Sequence, residues 1–209
     1  IWVTMIVARS HSVRHRNAMS WYFTGQLGKY VPGGIWPIVG RAELAVRHGI
    51  PRLDAYASTG LSLVTTYAAA VVTIGIGAAA TTGHRLIAIL IAIGLLATYT
   101  AFSQPSLRAV IIRAASRISA SASTLTDPKR LVRLTMLHIP AWILMSLSTS
   151  VTATAFGAHI SIADMLFITT TSWLAGFVVV GVPGGIGVRE AVFTSLAGGI
   201  IGTPMAVSL

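Results

Sequence analysis

Arg189 and Glu190 stand where charge is scarce. Twenty-four residues without Asp, Glu, Lys or Arg precede them and nineteen follow. An ionisable group at membrane depth is costly and is usually paired, which makes it a functional candidate by default. Adjacent residues on a helix do not face each other, so each of the two needs its own partner. A guanidinium grips a phosphate through paired hydrogen bonds, which would give Arg189 a lipid phosphate to hold. Glu190 would anchor another arginine or meet a cationic headgroup. The competing reading has both side chains snorkel to an interface. Lys29-Tyr30 admits the same two readings, whereas the Arg52…Asp54 pair reads as the boundary of a span.

These residues flank a repeat. Val31-Pro32-Gly33-Gly34-Ile35 recurs as Val182-Pro183-Gly184-Gly185-Ile186, and each copy leads into an Arg and Glu pair: Arg41 with Glu43, and Arg189 with Glu190. Proline removes a helix donor and glycine opens the backbone. Pro32, Gly33, Gly34, Pro183, Gly184, Gly185 and Gly187 are therefore the expected hinges. In lipid, freed amides and carbonyls are tolerated only where protein or a watery cavity surrounds them. Two broken, re-entrant helices related as an internal repeat are expected, with helix N-termini facing anionic groups. A chance match in a glycine-rich chain, or two plain helix-ending turns, is the blander alternative.

The elements that must position these residues follow from composition. Of 209 residues, 54% are hydrophobic and 10% charged, and the mean hydropathy is +0.78. Soluble domains carry about 25% charged residues, so a water-soluble globule is excluded, and disorder with it. A span needs about 20 apolar residues. Uncharged runs place spans over 55–83, 86–102, 134–156 and 164–182. The fold class is thus all-α, a polytopic helical membrane protein. Residues 1–209 read as a single transmembrane domain, with both ends cut from something longer. Small residues such as Gly60, Gly75, Gly77, Ala78 and Ala79 suit close helix packing in lipid. Over 107–125, Ile111, Ala115, Ile118 and Ala122 oppose Arg113 and Arg117, as in a helix lying at the inner surface, although an extension of the preceding span would look much the same. Asp127-Pro128 reads as a turn, or as the N-cap and first residue of the next helix.

Twelve of the fifteen Lys and Arg fall in three clusters: Arg9, Arg14 and Arg16; Arg41, Arg47 and Arg52; and six between Arg108 and Arg133. The net charge of +10, so distributed, marks cytoplasmic loops facing the anionic inner leaflet, not nucleic acid. Segment 17–40 is too short to cross twice, so it enters and returns as a broken hairpin or lies flat in the interface. The turns carrying Arg85 and His159 then fall outside.

Other chemistry is excluded in turn. With no cysteine there is no disulfide, thiolate metal site or cysteine nucleophile. H-E-x-x-H, G-x-S-x-G and P-loop strings are absent. Arginines crowd His11 and His15 too closely for a metal site. His138 reads as a satisfied histidine, and Ser146 and Ser148 are ordinary span hydroxyls. Trp2, Trp21, Tyr22, Trp36 and Trp173 fit interfacial belts. No metal, cofactor or catalytic residue is expected.

On the stretches Gln26-Leu27-Gly28-Lys29-Tyr30-Val31-Pro32-Gly33-Gly34 and Val182-Pro183-Gly184-Gly185-Ile186-Gly187-Val188-Arg189-Glu190-Ala191, the chain resembles the lysylphosphatidylglycerol synthase transmembrane-region, or flippase-domain, family. The second string is the more specific. The resemblance implies a multi-pass protein of a bacterial or archaeal plasma membrane that moves a lipid, or a lipid-linked precursor, between leaflets. In that reading the motifs line a polar path. Lys29, Tyr30, Arg41 and Arg189 would bind the headgroup phosphate, and Glu43 and Glu190 would balance them. The implied partner is an anionic or lysyl-phospholipid, or a polyprenyl-phosphate sugar. Within these 209 residues no aminoacyltransferase domain is expected. The alternatives are a non-transporting accessory subunit of a glycosyltransferase or lipid-modifying synthase, and, without a recognisable dyad, an intramembrane enzyme.

Overall fold

Long apolar runs interrupted only by Gly, Pro and polar pairs fold as helices, and the computed structural model of the chain contains no strand among its described residues. Those are residues 1–7, 13–31, 35–81, 83–106, 109, 127–179 and 182–209, the side chain of Phe102 excepted. Nine α-helices are described: α1 (Trp2–Val7), α2 (His15–Gln26), α3 (Trp36–Arg47), α4 (Arg52–Ala80), α5 (Arg85–Ser103), α6 (Pro128–Ala155), α7 (Ile162–Val178), α8 (Val188–Ile201) and α9 (Thr203–Ser208). Short 3-10 turns follow α2 (Leu27–Tyr30) and precede α8 (Pro183–Gly185).

Helices α4 and α6, of 29 and 28 residues, are long and apolar enough to cross a membrane, while the apolar stretches Arg85–Ala101 and Ile162–Val178 are shorter. Each expected span thus has its helix, with shifted ends. Helix α6 starts at Pro128 rather than 134, and the Lys129 amide donates to Asp127 Oδ1 at 3.1 Å, so Asp127-Pro128 is a helix start. Ser161 caps α7, its oxygen accepting from the Asp164 amide at 3.1 Å. The outward faces are apolar: Val132, Met136, Leu144 and Val151 on α6 and Leu86, Leu90, Ile93 and Leu96 on α5 are exposed, while Thr135, Ser146 and Ala153 of α6 are buried. That inversion suits lipid, where the hydrophobic effect does not drive apolar side chains inward.

Contacts divide the chain into two compact units, Ile1–Thr66 with Thr98–Leu137, and Tyr67–Ala97 with His138–Leu209. In the first, Trp2 and Ile6 of α1, Trp21 of α2, Ala42 and Ala45 of α3 and Ala55 of α4 form one core. In the second, Ile74 and Ala78 of α4 pack with Phe167 and Ile168 of α7 and Ala197 of α8.

The small residues separate by environment. A Cβ on Gly77 would lie 2.7 Å from the Phe167 nitrogen, and one on Gly75 would lie 3.1 Å from Ile91, but one on Gly60 meets nothing within 4 Å. Ala78 is fully buried, whereas Ala79 is exposed.

One expectation is corrected outright. Arg41, Arg47 and Arg52 do not share a loop: the first two lie in α3 and the third opens α4, with a tight turn at Gly49 (φ 89°) between. Arg41 is only 6% exposed. Charge clustering along a sequence marks loops only where helices do not carry and bury the charges, and α3 does both. Arg9, the hinge residues Pro32, Gly33 and Gly34, and nearly all of the expected surface helix 107–125, with Arg108, Arg113 and Arg117, lie outside the described residues.

Candidate functional site

In the second unit, α7 runs down to Val178, the chain turns at Pro183, and α8 returns along α7. The turn needs glycine. Gly184, Gly185 and Gly187 have φ of 61°, 72° and 85°, a left-handed region that costs an L-residue about 1–2 kcal/mol. Gly185 also presses on α7: a Cβ there would lie 2.6 Å from the Gly176 carbonyl oxygen. Gly176 in turn makes room for Arg189, since a Cβ at 176 would overlap the arginine's Cγ.

Arg189 therefore lies flat across α7. Its guanidinium carbon sits 3.9 Å from the Trp173 ring centroid, a cation–π contact that strengthens on desolvation. Its Nη2 donates to the Gly184 carbonyl, which ties the hinge to the helix it precedes. Its Nε is buried without a hydrogen-bond partner among the described residues. Glu190 goes elsewhere. Its Oε2 accepts from the Gly187 amide at 2.6 Å, capping the N-terminus of α8, where a carboxylate also meets the positive end of the helix dipole. The two neighbours thus find separate partners, as adjacent positions on a helix require.

Arg189 and Glu190 border an open crevice of about 270 Å3 lined also by Thr149 of α6, Thr169, Ser172 and Trp173 of α7, Phe193 and Thr194 of α8, and Ala206, Val207 and Leu209 beyond. Its lining combines hydroxyls with apolar side chains. Such a crevice can accept a polar head with the first part of an apolar chain.

The first unit places its residues differently. Helices α2 and α3 lie against each other through glycine: a Cβ on Gly25 would lie 2.9 Å from the Arg41 Cβ, and one on Gly28 would lie 2.8 Å from the Trp36 carbonyl carbon. Arg41 is buried against the rings of Trp2 and Tyr22, 5.8 and 5.7 Å from their centroids, and its Nη2 reaches the Thr59 carbonyl at 3.5 Å. Glu43 accepts from Arg52 Nη2 at 2.9 Å and from the Tyr56 hydroxyl at 2.6 Å. Lys29 and Tyr30 are exposed on the 3-10 turn, the ammonium 5.0 Å from the ring centroid. A crevice of about 240 Å3 here is lined by Glu43 and Arg47 with Thr24, Gly25, Trp36 and Gly40. Arg41, Lys29 and Tyr30 do not line it.

Two positions escaped the reading of the repeat. Gly25 precedes Pro32 by seven residues and Gly176 precedes Pro183 by seven; Tyr22 and Trp173 stand three residues before each glycine. In each unit, taken separately, that aromatic ring faces the arginine of the following helix and that glycine gives the arginine its space. The shared spacing was available in the sequence, but nothing in the residue types tied an aromatic in one helix to an arginine in the next. Reading Trp2, Tyr22 and Trp173 as interfacial belts missed this contact.

A family model described as lysylphosphatidylglycerol synthase TM region matches residues 1–209. No curated protein and no solved structure matches the chain.

Proposed function

Because the chain belongs to the lysylphosphatidylglycerol synthase TM-region family, an integral membrane domain of lipid-related proteins, we propose that it moves a phospholipid, or a polyprenyl-phosphate-linked precursor, from one leaflet to the other. The protein is read as multi-pass, in a bacterial or archaeal plasma membrane, with α4 to α7 as spans and the two Pro-Gly-Gly segments as re-entrant hinges. The observation that carries this reading is Arg189. Its guanidinium is fixed over Trp173 and against the Gly184 carbonyl at the edge of a crevice lined by both hydroxyl-bearing and apolar side chains. A held cation in such a crevice attracts a phosphate while the apolar side chains receive the lipid's glycerol and chain.

The chemistry asked of the protein is modest. No covalent bond changes; the barrier is the transfer of a charged headgroup through hydrocarbon, where isolated ions are disfavoured by tens of kcal/mol on the idealised Born scale. Hydroxyls and an arginine replace the headgroup's water in steps. Glu190, already spent on the Gly187 amide, keeps the crevice from becoming a trap of purely positive charge. Arg41 and Glu43, tied to their own neighbours, support the hairpin of the first unit, and Lys29 is the exposed cation of that unit's turn.

The test is lipid scrambling in proteoliposomes with a dithionite-quenched fluorescent phospholipid. Arg189→Ala and Glu190→Ala are expected to slow exchange at least tenfold. Unchanged scrambling in both would remove these residues from the substrate path. Absence of scrambling by the unaltered protein, with stable co-purification of a glycosyltransferase, would favour the accessory-subunit reading instead.

A further inference from the structure

Hydroxyls in the helices of this chain usually return to the backbone. Thr65, Thr73, Thr149 and Ser172 each donate to the carbonyl four residues back at 2.7–3.1 Å. That is the habit of Ser and Thr in apolar helices, where a hydroxyl left alone is costly. Helix α7 breaks it. The Oγ1 atoms of Thr169, Thr170 and Thr171 are buried with no hydrogen-bond partner among the described residues, and Thr169 is 2% exposed. Of the three, Thr169 lines the crevice beside Arg189, whose Nε is likewise buried without a partner. Two unused donors, one of them charged, thus belong to residues that line one crevice. Thr149 from α6, Ser172 from α7 and Thr194 from α8 add hydroxyls to that crevice.

We propose that Thr169, with Thr194 and Arg189, forms a seat for one monoanionic phosphodiester. The proposal rests on the lipid-translocation reading for its source of ligand and adds the residues and the class of phosphate. A phosphodiester presents two non-bridging oxygens carrying a single charge. Arg189 supplies the countercharge, and the Thr169 and Thr194 hydroxyls supply neutral donors from α7 and α8. The Thr149 and Ser172 hydroxyls, already donating to Met145 and Ile168, only line the crevice. Thr169 lines the crevice and its Oγ1 has no bond among the described residues to give up before it donates to a ligand. The Glu190 carboxylate on the rim sets the class. It opposes the second negative charge that a phosphomonoester acquires above its second pKa of about 6, or that a diphosphate carries. The apolar lining residues Phe193, Ala206 and Val207 favour an esterified, lipid-borne group over a free one.

The test uses the full chain in detergent at pH 8 and calorimetric titration with three probes. These are dioctanoyl phosphatidylglycerol, dioctanoyl phosphatidic acid and the deacylated headgroup glycerophosphoglycerol. The unaltered protein is expected to bind the phosphatidylglycerol at least fivefold more tightly than the phosphatidic acid, and the deacylated headgroup weakest of all. Thr169→Val should weaken phosphatidylglycerol binding about tenfold, the loss of one hydrogen bond to a charged group. Thr170→Val, on the same helix but outside the crevice, should stay within twofold and control for the valine itself. Glu190→Gln keeps the capping acceptor and should bring phosphatidic acid within twofold of phosphatidylglycerol. Equal binding by Thr169→Val and the unaltered protein overturns the seat. Equal binding of the two lipids by the unaltered protein overturns the charge selection, and a deacylated headgroup that binds as tightly as the lipid overturns the lipid source. A protein with the expected binding pattern that scrambles no lipid ends the translocation reading and leaves the seat standing. Scrambling with Thr169→Val unaltered in binding does the reverse.

Discussion

Arg189 keeps a charge in apolar surroundings because three features converge on it: the Trp173 face, the Gly184 carbonyl and the space left by Gly176. Shape matters as much as charge. A lysine retains the charge but loses the planar stack and the reach to Gly184. Arg189→Lys is therefore expected to cost about 1–2 kcal/mol of stability and most of the scrambling rate, read by thermal unfolding in detergent and by the liposome assay. A lysine variant that melts and scrambles like the parent would show that the stack is idle. Glu190 separates two roles. Glu190→Ala removes the cap of α8, worth about 0.5–2 kcal/mol, whereas Glu190→Gln retains an acceptor for the Gly187 amide. If Gln melts like the parent but scrambles more slowly, the carboxylate charge acts on the lipid; if both melt early, Glu190 serves the helix. Arg41 is a different case. Buried against the adjoining rings of Trp2 and Tyr22, it belongs to the packing of its unit. Arg41→Ala should lower stability by about 2–4 kcal/mol, with activity falling only as folded protein is lost.

At the scale of the element, glycine decides which helices touch. Helix α7 meets the turn before α8 through Gly176 and Gly185, and α2 meets α3 through Gly25 and Gly28. Gly176→Ala would drive a methyl into the Arg189 side chain and should cost about 1–3 kcal/mol. Gly60→Ala, in α4 with open space around the added Cβ, should be neutral or stabilise the helix by up to about 1 kcal/mol. Comparing the two melting temperatures checks the claim directly. Equal shifts would mean that the close approach at Gly176 is not what holds α7 and the turn together. The glycines were legible in the sequence as packing residues, but not which of them were needed. A residue type reports the freedom to approach, and only the neighbouring helix determines whether that freedom is used.

At the scale of the whole molecule, the outward faces of α5 and α6 are apolar and the buried faces carry threonine, serine and alanine, so the chain needs lipid or detergent around it. Its lack of cysteine makes topology directly measurable. The turn after α4 and the turn after α6 should lie on one face of the membrane, because α5 and α6 each cross once in the proposed arrangement. Single cysteines in place of Gly83 and His159 are expected to react with a membrane-impermeant maleimide from the same side of intact cells. Labelling from opposite sides would require an odd number of crossings between them in place of the two proposed and would end that topology.

The amino-acid order by itself determined the class of the protein, its apolar helices and the Pro-Gly-Gly-Ile-Gly turn. Each of these depends on local quantities: the length of an uncharged run, the missing proline donor, the positive φ that glycine alone adopts freely. It also determined that Arg189 and Glu190 need separate partners, since helix geometry points adjacent side chains apart. Tertiary structure alone decided what those partners are. It turned Arg41 from an expected loop charge into a buried one, assigned Trp173 to Arg189 and Tyr22 to Arg41, and gathered hydroxyls from α6, α7 and α8 around one crevice. Such contacts join residues far apart in sequence through the exact approach of two helix surfaces, and composition and spacing carry no record of that distance.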